Sequence, residues 1–461
     1  MPGLGRRSLR GDDLRFRPRQ RDVHVAEPAQ QIIGAVQELQ DYQQSKGEEL
    51  IMGLISRRSA VAGLGASALV LGSGPRARAA GNYGPGVTDT EIKLGTTAPY
   101  SGPASGYGVY GQAQTAYFQM INDNGGINGR KINLISLDNA FSPPKAVEQT
   151  RKLVESEEVF AIAGFLGTAT NAAVQKYLNA KKVPNLFLTS GAERFNDPKE
   201  FPWIVPFYPI YVAQGAALGT FILNQKPDAK IAVQYVNDDL GKDFLRGLKK
   251  GLGGNVSAIV KEVSHEITEP TIDNQVADCK GAGANVFVQL TYSKFAAQGI
   301  RKVAALGWKP LHIVNSNCSS TGGTLAPAGL DNAKGLVSAW WEVIATDPHQ
   351  RDKPRVKAYV DFMKRYMPSV SIDDNTATPG YNNAYMIEQV LRRCGDELTR
   401  ENLLKHATVL SNEQPPLFLD GIKVSNSATD YRAIHNLQIT QFDGTNWMPI
   451  GDMVDLDGIA S

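Results

Sequence analysis

The chain has 461 residues, a net charge of +2 and 20% charged residues with both signs spread along it. That balance argues against nucleic acid as a partner, which would call for a basic stripe or patch. At about 100–200 residues per domain the length fits two or three domains with an ample core. Cys279, Cys318 and Cys394 have neither CxxC nor metal-ligand spacing, so neither a metal nor another cofactor is expected, and the odd count leaves at least one thiol free.

The first eighty residues read as separate from the fold. Arg6 to Arg21 is arginine-rich, and Val36 to Glu49 is a polar stretch with no core to join. Ser56-Arg57-Arg58-Ser59, the uncharged run Ala60–Gly72 and Ala77-Arg78-Ala79 then follow as a basic region, a hydrophobic region and an A-x-A cleavage site. The apolar run is shorter than the roughly 20 residues that a spanning helix needs. Paired arginines point to the twin-arginine export route. Residues 52–80 are thus expected to be a signal peptide, with Met52 as the start. Residues 1–51 are then either a start assigned too early or an extension, and the mature chain is placed in the periplasm.

From Val87 onward strand and helix patterns alternate. Glu91–Thr97 predicts the first strand, and a helix follows with Ala113, Ala116, Tyr117, Met120 and Ile121 on one face, stopped by Gly125-Gly126. Lys131–Leu137 is the second strand, and a helix opens at Pro143-Pro144. Phe160–Ala163 is a short buried strand ended by Gly164. In Gly167-Thr168-Ala169-Thr170 either threonine could cap a helix carrying Val174, Tyr177 and Leu178. Val183–Leu188 is a strand emptying into Thr189-Ser190-Gly191-Ala192. Two hydroxyl-rich loops in succession, at the ends of parallel strands, make a seat for a small anion, or else are merely tight turns. Lys230–Val236 starts a second series: helix 241–252, strand 256–263, helix 272–282, strand 285–290, helix 294–306, strand 311–315. The chain crosses between the two series around Tyr208–Val212. After a strand at Lys334–Ser338 come helices near 353–367, 379–394 and 399–408, then a hairpin over 434–450 with Asp443-Gly444 as its turn. The fold class is α/β: two Rossmann-like wound lobes joined by a multi-crossover hinge, with lobe 1 at 88–208 and 339–424 and lobe 2 at 209–338 and 425–461.

The stretches EIKLG, SGPASGYG, NGGINGRKI and NDDLGKDFLRGLKKGL, behind an exported leader, resemble the solute-binding proteins of branched-chain-amino-acid-type ABC importers, the type I periplasmic binding fold. The likeness spans about residues 88–450. It implies two lobes closing on a small carboxylate ligand, a monomer delivering it to an ABC permease, and no catalysis. Position by position, it implies a carboxylate seat at Thr168, Ala169, Thr170, Gly191 and Ala192, with Tyr107 and Tyr292 as aromatic walls. Leu240 stands where an aromatic is usual, and Tyr381 is expected to complete the wall. Asn317 replaces an acidic residue that would pair with an α-ammonium, and a neutral amide cannot offset a desolvated charge. Glu193 is the candidate substitute: pointing inward it implies a hydrophobic or branched-chain amino acid, pointing outward an aromatic or other organic acid.

Two other classes are weighed. An exported enzyme would rest on Asp238-Asp239 and six histidines, but none of these shows HExxH or GxSxG spacing, and Asp238-Asp239 fits a helix N-terminus. A ligand sensor for a membrane signalling partner stays open.

Overall fold

A computed structural model describes residues 81–460; the stretches read as a leader and an extension lie outside the described residues. Labelled in chain order, with short helical turns left unlabelled, the elements begin with β1 (Asn82–Tyr83), β2 (Glu91–Ala98), α1 (Gly108–Asp123), β3 (Lys131–Asp138) and α2 (Pro143–Arg151). Next are β4 (Ala161–Ala163), α3 (Thr168–Ala180), β5 (Asn185–Leu188) and β6 (Ile204–Pro206). Together β3-β2-β4-β5-β6 form a five-stranded parallel sheet in that spatial order.

The chain then enters α4 (Tyr211–Gln225), β7 (Ile231–Val236), α5 (Asp239–Leu252), β8 (Ile259–His265), α6 (Asp273–Gly281), β9 (Val286–Leu290), α7 (Ser293–Ala305), β10 (Leu311–Val314) and β11 (Val337–Trp340). The second sheet runs β8-β7-β9-β10-β11 in parallel and is extended by an antiparallel pair from the end of the chain, β13 (Asn436–Phe442) and β14 (Trp447–Asp455). Between β11 and β13 the chain returns to the first lobe as α8 (Pro354–Tyr366), α9 (Ala377–Cys394), β12 (Glu397–Leu398) and α10 (Arg400–Ala407); α9 packs on α1, and β12 pairs with β1. Both sheets reverse their strand order beside the first strand of the series, at β2/β4 and at β7/β9. Such reversals open a crevice at the carboxyl ends of the strands, where ligands bind.

Four expectations shift. Gly167, with φ of 114°, caps α3, and neither threonine side chain caps it. The strand predicted over 256–263 runs over Ile259–His265, because residues 253–258 form tight turns. The strand predicted over Lys334–Ser338 starts at Val337, after Gly335 turns the chain with φ of 90°. The crossover read at Tyr208–Val212 runs straight into α4, an unexpected helix over residues 211–225, whose Ala/Gly-rich surface is apolar nearly all round and so shows no one-sided period.

The small residues where α4 and α5 meet have a packing purpose. A Cβ on Gly247 would lie 2.0 Å from the Val212 carbonyl oxygen, and one on Gly251 2.0 Å from that of Ala216. Backbone therefore meets backbone across α4 and α5, and neither side can yield as a flexible side chain would. Gly247→Ala is expected to cost about 3 kcal/mol, since overpacking must separate the two helices. Urea denaturation measures it, and a loss below about 1 kcal/mol would refute the close approach.

Candidate functional site

Where the carboxyl edges of the two sheets face each other lies a cavity of about 60 Å³. The first lobe contributes Tyr107 and Tyr110 after β2, Phe141 after β3, Leu166 to Thr168 after β4, and Thr189 after β5. Tyr208 and Tyr211 come from the crossover; Tyr292, Ser316, Asn317, Ser320 and Trp340 come from the second lobe. Asn375, Thr376 and Pro379, around the start of α9, complete it. Among the described residues no Asp, Glu, Lys, Arg or His lines this cavity.

Local backbone geometry aims several of these groups. Ala140 and Phe141 adopt φ of 48° and 54°, and the Phe141 amide donates to Asn139 Oδ1 at 2.8 Å while Asn139 Nδ2 donates to Thr97 Oγ1. Held in that turn, the Phe141 ring meets the Tyr292 ring edge-on at 5.1 Å across the lobes. Phe187, fully buried, has φ of 53° at a bulge in β5, and Asn383 Nδ2 on α9 donates to its carbonyl at 2.7 Å. Such backbone costs about 1–3 kcal/mol and persists only where packing enforces it. Here it turns Thr189 toward the cavity, where its hydroxyl lies 2.6 Å from that of Tyr110.

The polar heart is a set of hydroxyls at the first turn of α3. Thr168 Oγ1 lies 2.8 Å from Ser190 Oγ and 3.4 Å from the Tyr211 hydroxyl, to which Asn317 Nδ2 donates at 3.4 Å. The open amides and positive dipole end of α3 favour an anion there. Burial raises the Tyr211 hydroxyl above its ordinary range, so it stays a neutral donor. Across the cleft, the Tyr107 hydroxyl accepts from Ser293 N (3.0 Å) and Ser293 Oγ (2.8 Å) and donates to the Asn317 carbonyl at 2.9 Å. Tyr292 donates to Asp238 Oδ2 at 2.7 Å, while Asp238 Oδ1 caps α5 through the Leu240 and Gly241 amides.

Of the residues singled out from the sequence, Tyr107, Thr168, Tyr292 and Asn317 meet at this cavity, and seven others do not line it. Thr170 Oγ1 folds back to the Leu166 carbonyl at 3.2 Å, and Ala169 sits beside it on α3. Gly191 leaves room for the Tyr211 ring, which a Cβ would meet at 2.7 Å, and its carbonyl accepts from the Tyr211 amide. The Ala192 amide bonds to Ser190 Oγ. Leu240 is fully buried in the hydrophobic core. Tyr381 lies two residues past Pro379, hence on another face of α9, in contact with the rings of Tyr117, Tyr359 and Phe362. Glu193 faces outward: its carboxylate is 58% exposed and pairs with Arg246 at 2.5 Å, because Asp243 Oδ2 holds its amide at 2.9 Å. With Arg194–Asp239 at 2.9 Å, this pair ties the rims of the two lobes together.

Sequence reasoning missed Tyr110, Phe141, Tyr208, Tyr211, Trp340, Asn375 and Thr376. The two crossover tyrosines, in FYPIY, and the Trp340-Trp341 pair at a strand end were the available signals. It also missed Glu342, at the wall of a recess of about 10 Å³ that shares Thr189, Tyr208 and Pro379 with the cavity. Glu342 Oε1 accepts from Asn382 Nδ2 at 2.8 Å, Oε2 has no partner among the described residues, and burial pushes the carboxyl up to about 8.

Two wound lobes around an uncharged, aromatic-walled cleft define a two-lobed solute-binding clamp. The chain belongs to the periplasmic binding protein family, whose model matches residues 91–446. It is 25% identical over 234 residues to Leu/Ile/Val-binding protein homolog 7 of Brucella abortus (strain 2308), an alignment covering 49% of this chain and 58% of that relative. The chain thus spans less than two thirds of the curated relatives it matches first. Two crystal structures are similar in fold. A branched-chain amino acid ABC transporter protein from Thermus thermophilus with bound valine has a TM-score of 0.71 at 18% identity, over 80% of this chain and 97% of that one. A solute-binding protein of an ABC transporter from R. palustris in complex with benzoate has a TM-score of 0.67 at 20% identity, over 79% and 98%. Among the described residues no helix is long and apolar enough to cross a membrane, no cluster of His, Cys, Asp or Glu could hold a metal, and all three cysteines are free and buried.

Proposed function

We propose that this protein is the exported solute-binding component of an ABC importer, a monomer that closes two lobes on a small organic acid and hands it to a membrane permease, with no catalytic role. The moving bodies are residues 88–208 with 339–424, and 209–338 with 425–461. Export by the twin-arginine route and residence in the periplasm belong to the same reading. The observation that carries the ligand class is the charge-free wall: hydroxyls and a helix N-terminus to hold a carboxylate, aromatic rings to cover the remainder, and Glu193 turned to solvent rather than toward an ammonium. Charge-assisted hydrogen bonds from neutral donors contribute about 1.5–3 kcal/mol each. One observation favours the amino-acid reading instead: an ammonium reaching the recess would find the Glu342 carboxyl.

Calorimetry with benzoate, phenylacetate, leucine and phenylalanine separates the two. Benzoate or phenylacetate is expected to bind at least about tenfold tighter than leucine or phenylalanine, because an ammonium left unpaired costs several kcal/mol. The reverse order, abolished by Glu342→Gln, would establish the amino-acid reading and overturn the organic-acid one.

A further inference from the structure

Besides the hydroxyls around Thr168, the cavity lining holds polar groups that nothing among the described residues satisfies. Trp340, at the end of β11, and Asn375, in the turn before α9, both line the cavity and are 8% and 2% exposed. The Trp340 indole Nε1 and the Asn375 amide Nδ2 have no hydrogen-bond partner among the described residues. Asn375 is not loosely placed: its Oδ1 accepts from the Thr321 amide at 2.8 Å, which fixes the side chain by its other atom. Trp340 is likewise set by its ring, 5.3 Å from that of Trp341. Buried donors left unpaired cost about 1–3 kcal/mol each, and more than nine in ten buried polar groups are paired. Two in the lining of one cavity mark a place where a partner arrives from outside the chain.

We propose that Trp340 and Asn375 form a second polar subsite that receives an oxygen acceptor of the ligand, such as a hydroxyl or carbonyl, apart from the acid group held at the first turn of α3. The inference rests on the organic-acid reading above and narrows it from a simple apolar acid to an oxygen-substituted one. Both atoms are donors and neither carries charge, so the subsite selects a neutral acceptor over a cation. The adjoining recess, about 10 Å³ and walled by Glu342, is the size of one water or hydroxyl. Glu342 Oε2, also unpartnered among the described residues, adds a polar atom in that recess, which meets the cavity at Thr189, Tyr208 and Pro379. A site built to bond a ligand oxygen discriminates against the analogue lacking it, because the donors are then buried and unpaired.

Calorimetry on the purified protein tests this with benzoate, 3-hydroxybenzoate, 4-hydroxybenzoate and 3,4-dihydroxybenzoate, repeated on Trp340→Phe and Asn375→Leu. At least one hydroxylated acid should bind about tenfold or more tighter than benzoate, and each substitution should narrow that ratio to within about threefold. Trp340→Phe keeps an aromatic ring in place, so the ratio can be read in a folded protein, and thermal unfolding of each variant verifies this. The subsite is overturned if benzoate binds and no hydroxylated acid gains more than twofold, or if the gain survives both substitutions. If none of the acids binds while leucine does, the organic-acid reading fails first, and the subsite with it.

Discussion

Thr168→Val should weaken binding of the preferred acid by about ten- to a hundredfold while leaving the thermal midpoint nearly unchanged. Thr168 is buried, and its hydroxyl stands in a chain with Ser190 Oγ at 2.8 Å and the Tyr211 hydroxyl at 3.4 Å. The Ala192 amide already donates to Ser190, and Asn317 donates to Tyr211, so both partners remain held when Thr168 loses its oxygen. Valine keeps the β-branched shape in the first turn of α3. What disappears is one donor to an anionic ligand at a helix N-terminus, and a charge-assisted bond of that kind is worth about 1.5–3 kcal/mol. Calorimetry of the variant decides it. An affinity within threefold of the parent protein would place the acid elsewhere in the cavity.

The second large effect concerns Glu342 and pH. Its carboxyl is buried and bonded to Asn382 at one oxygen, with no partner at the other among the described residues. Desolvation raises its pKa from 4.5 to about 8, so the folded protein holds this proton where the unfolded chain has released it. Stability from this group is complete below pH 4.5 and drains away as pH rises through 8, since unfolding then releases a proton and is favoured by base. Glu342→Gln keeps the shape and removes the ionisation. It should leave stability little changed at pH 4 and raise it by on the order of 2–3 kcal/mol at pH 7. Urea denaturation across pH 4–8 would show a gap between variant and parent that widens with pH; a constant gap would mean that Glu342 titrates as an ordinary exposed carboxyl.

How much of this could be read from the residues differs between the fold and the site. Alternating strand and helix patterns reveal two wound sheets, because buried parallel strands such as Val286–Leu290 are short apolar runs bounded by turn residues. The same periodicity hides α4, since a helix packed backbone to backbone needs small residues rather than one apolar stripe. The loops at the strand ends mark the edge where the site sits and point to Thr168, while Tyr107, Tyr292 and Asn317 come only from the family resemblance. Tyr208, Tyr211, Trp340 and Asn375 left only weak signals, because whether a crossover tyrosine, a strand-end tryptophan or a turn asparagine faces the cavity depends on how the lobes meet. Glu193 shows the opposite difficulty: it lies next to site residues along the chain, yet the Asp243 carboxylate catches its amide and turns its side chain to Arg246. Sequence proximity fixes a residue's neighbourhood and not the direction in which it points.

Neither lobe is completed by one continuous stretch of chain. α9 rests on α1, with Gln114 Nε2 donating to Asn383 Oδ1 at 3.1 Å, and β13 takes its place beside β11 only after the chain has visited the other lobe. Roughly 250 residues separate the end of α1 from the start of α9, and at synthesis rates of about 5–20 residues per second the ribosome needs some 13 to 50 s to make them. For that interval the face of α1 that α9 covers in the folded protein has no such cover. Cutting the gene at the crossover is therefore expected to yield two incomplete cores rather than two independent domains.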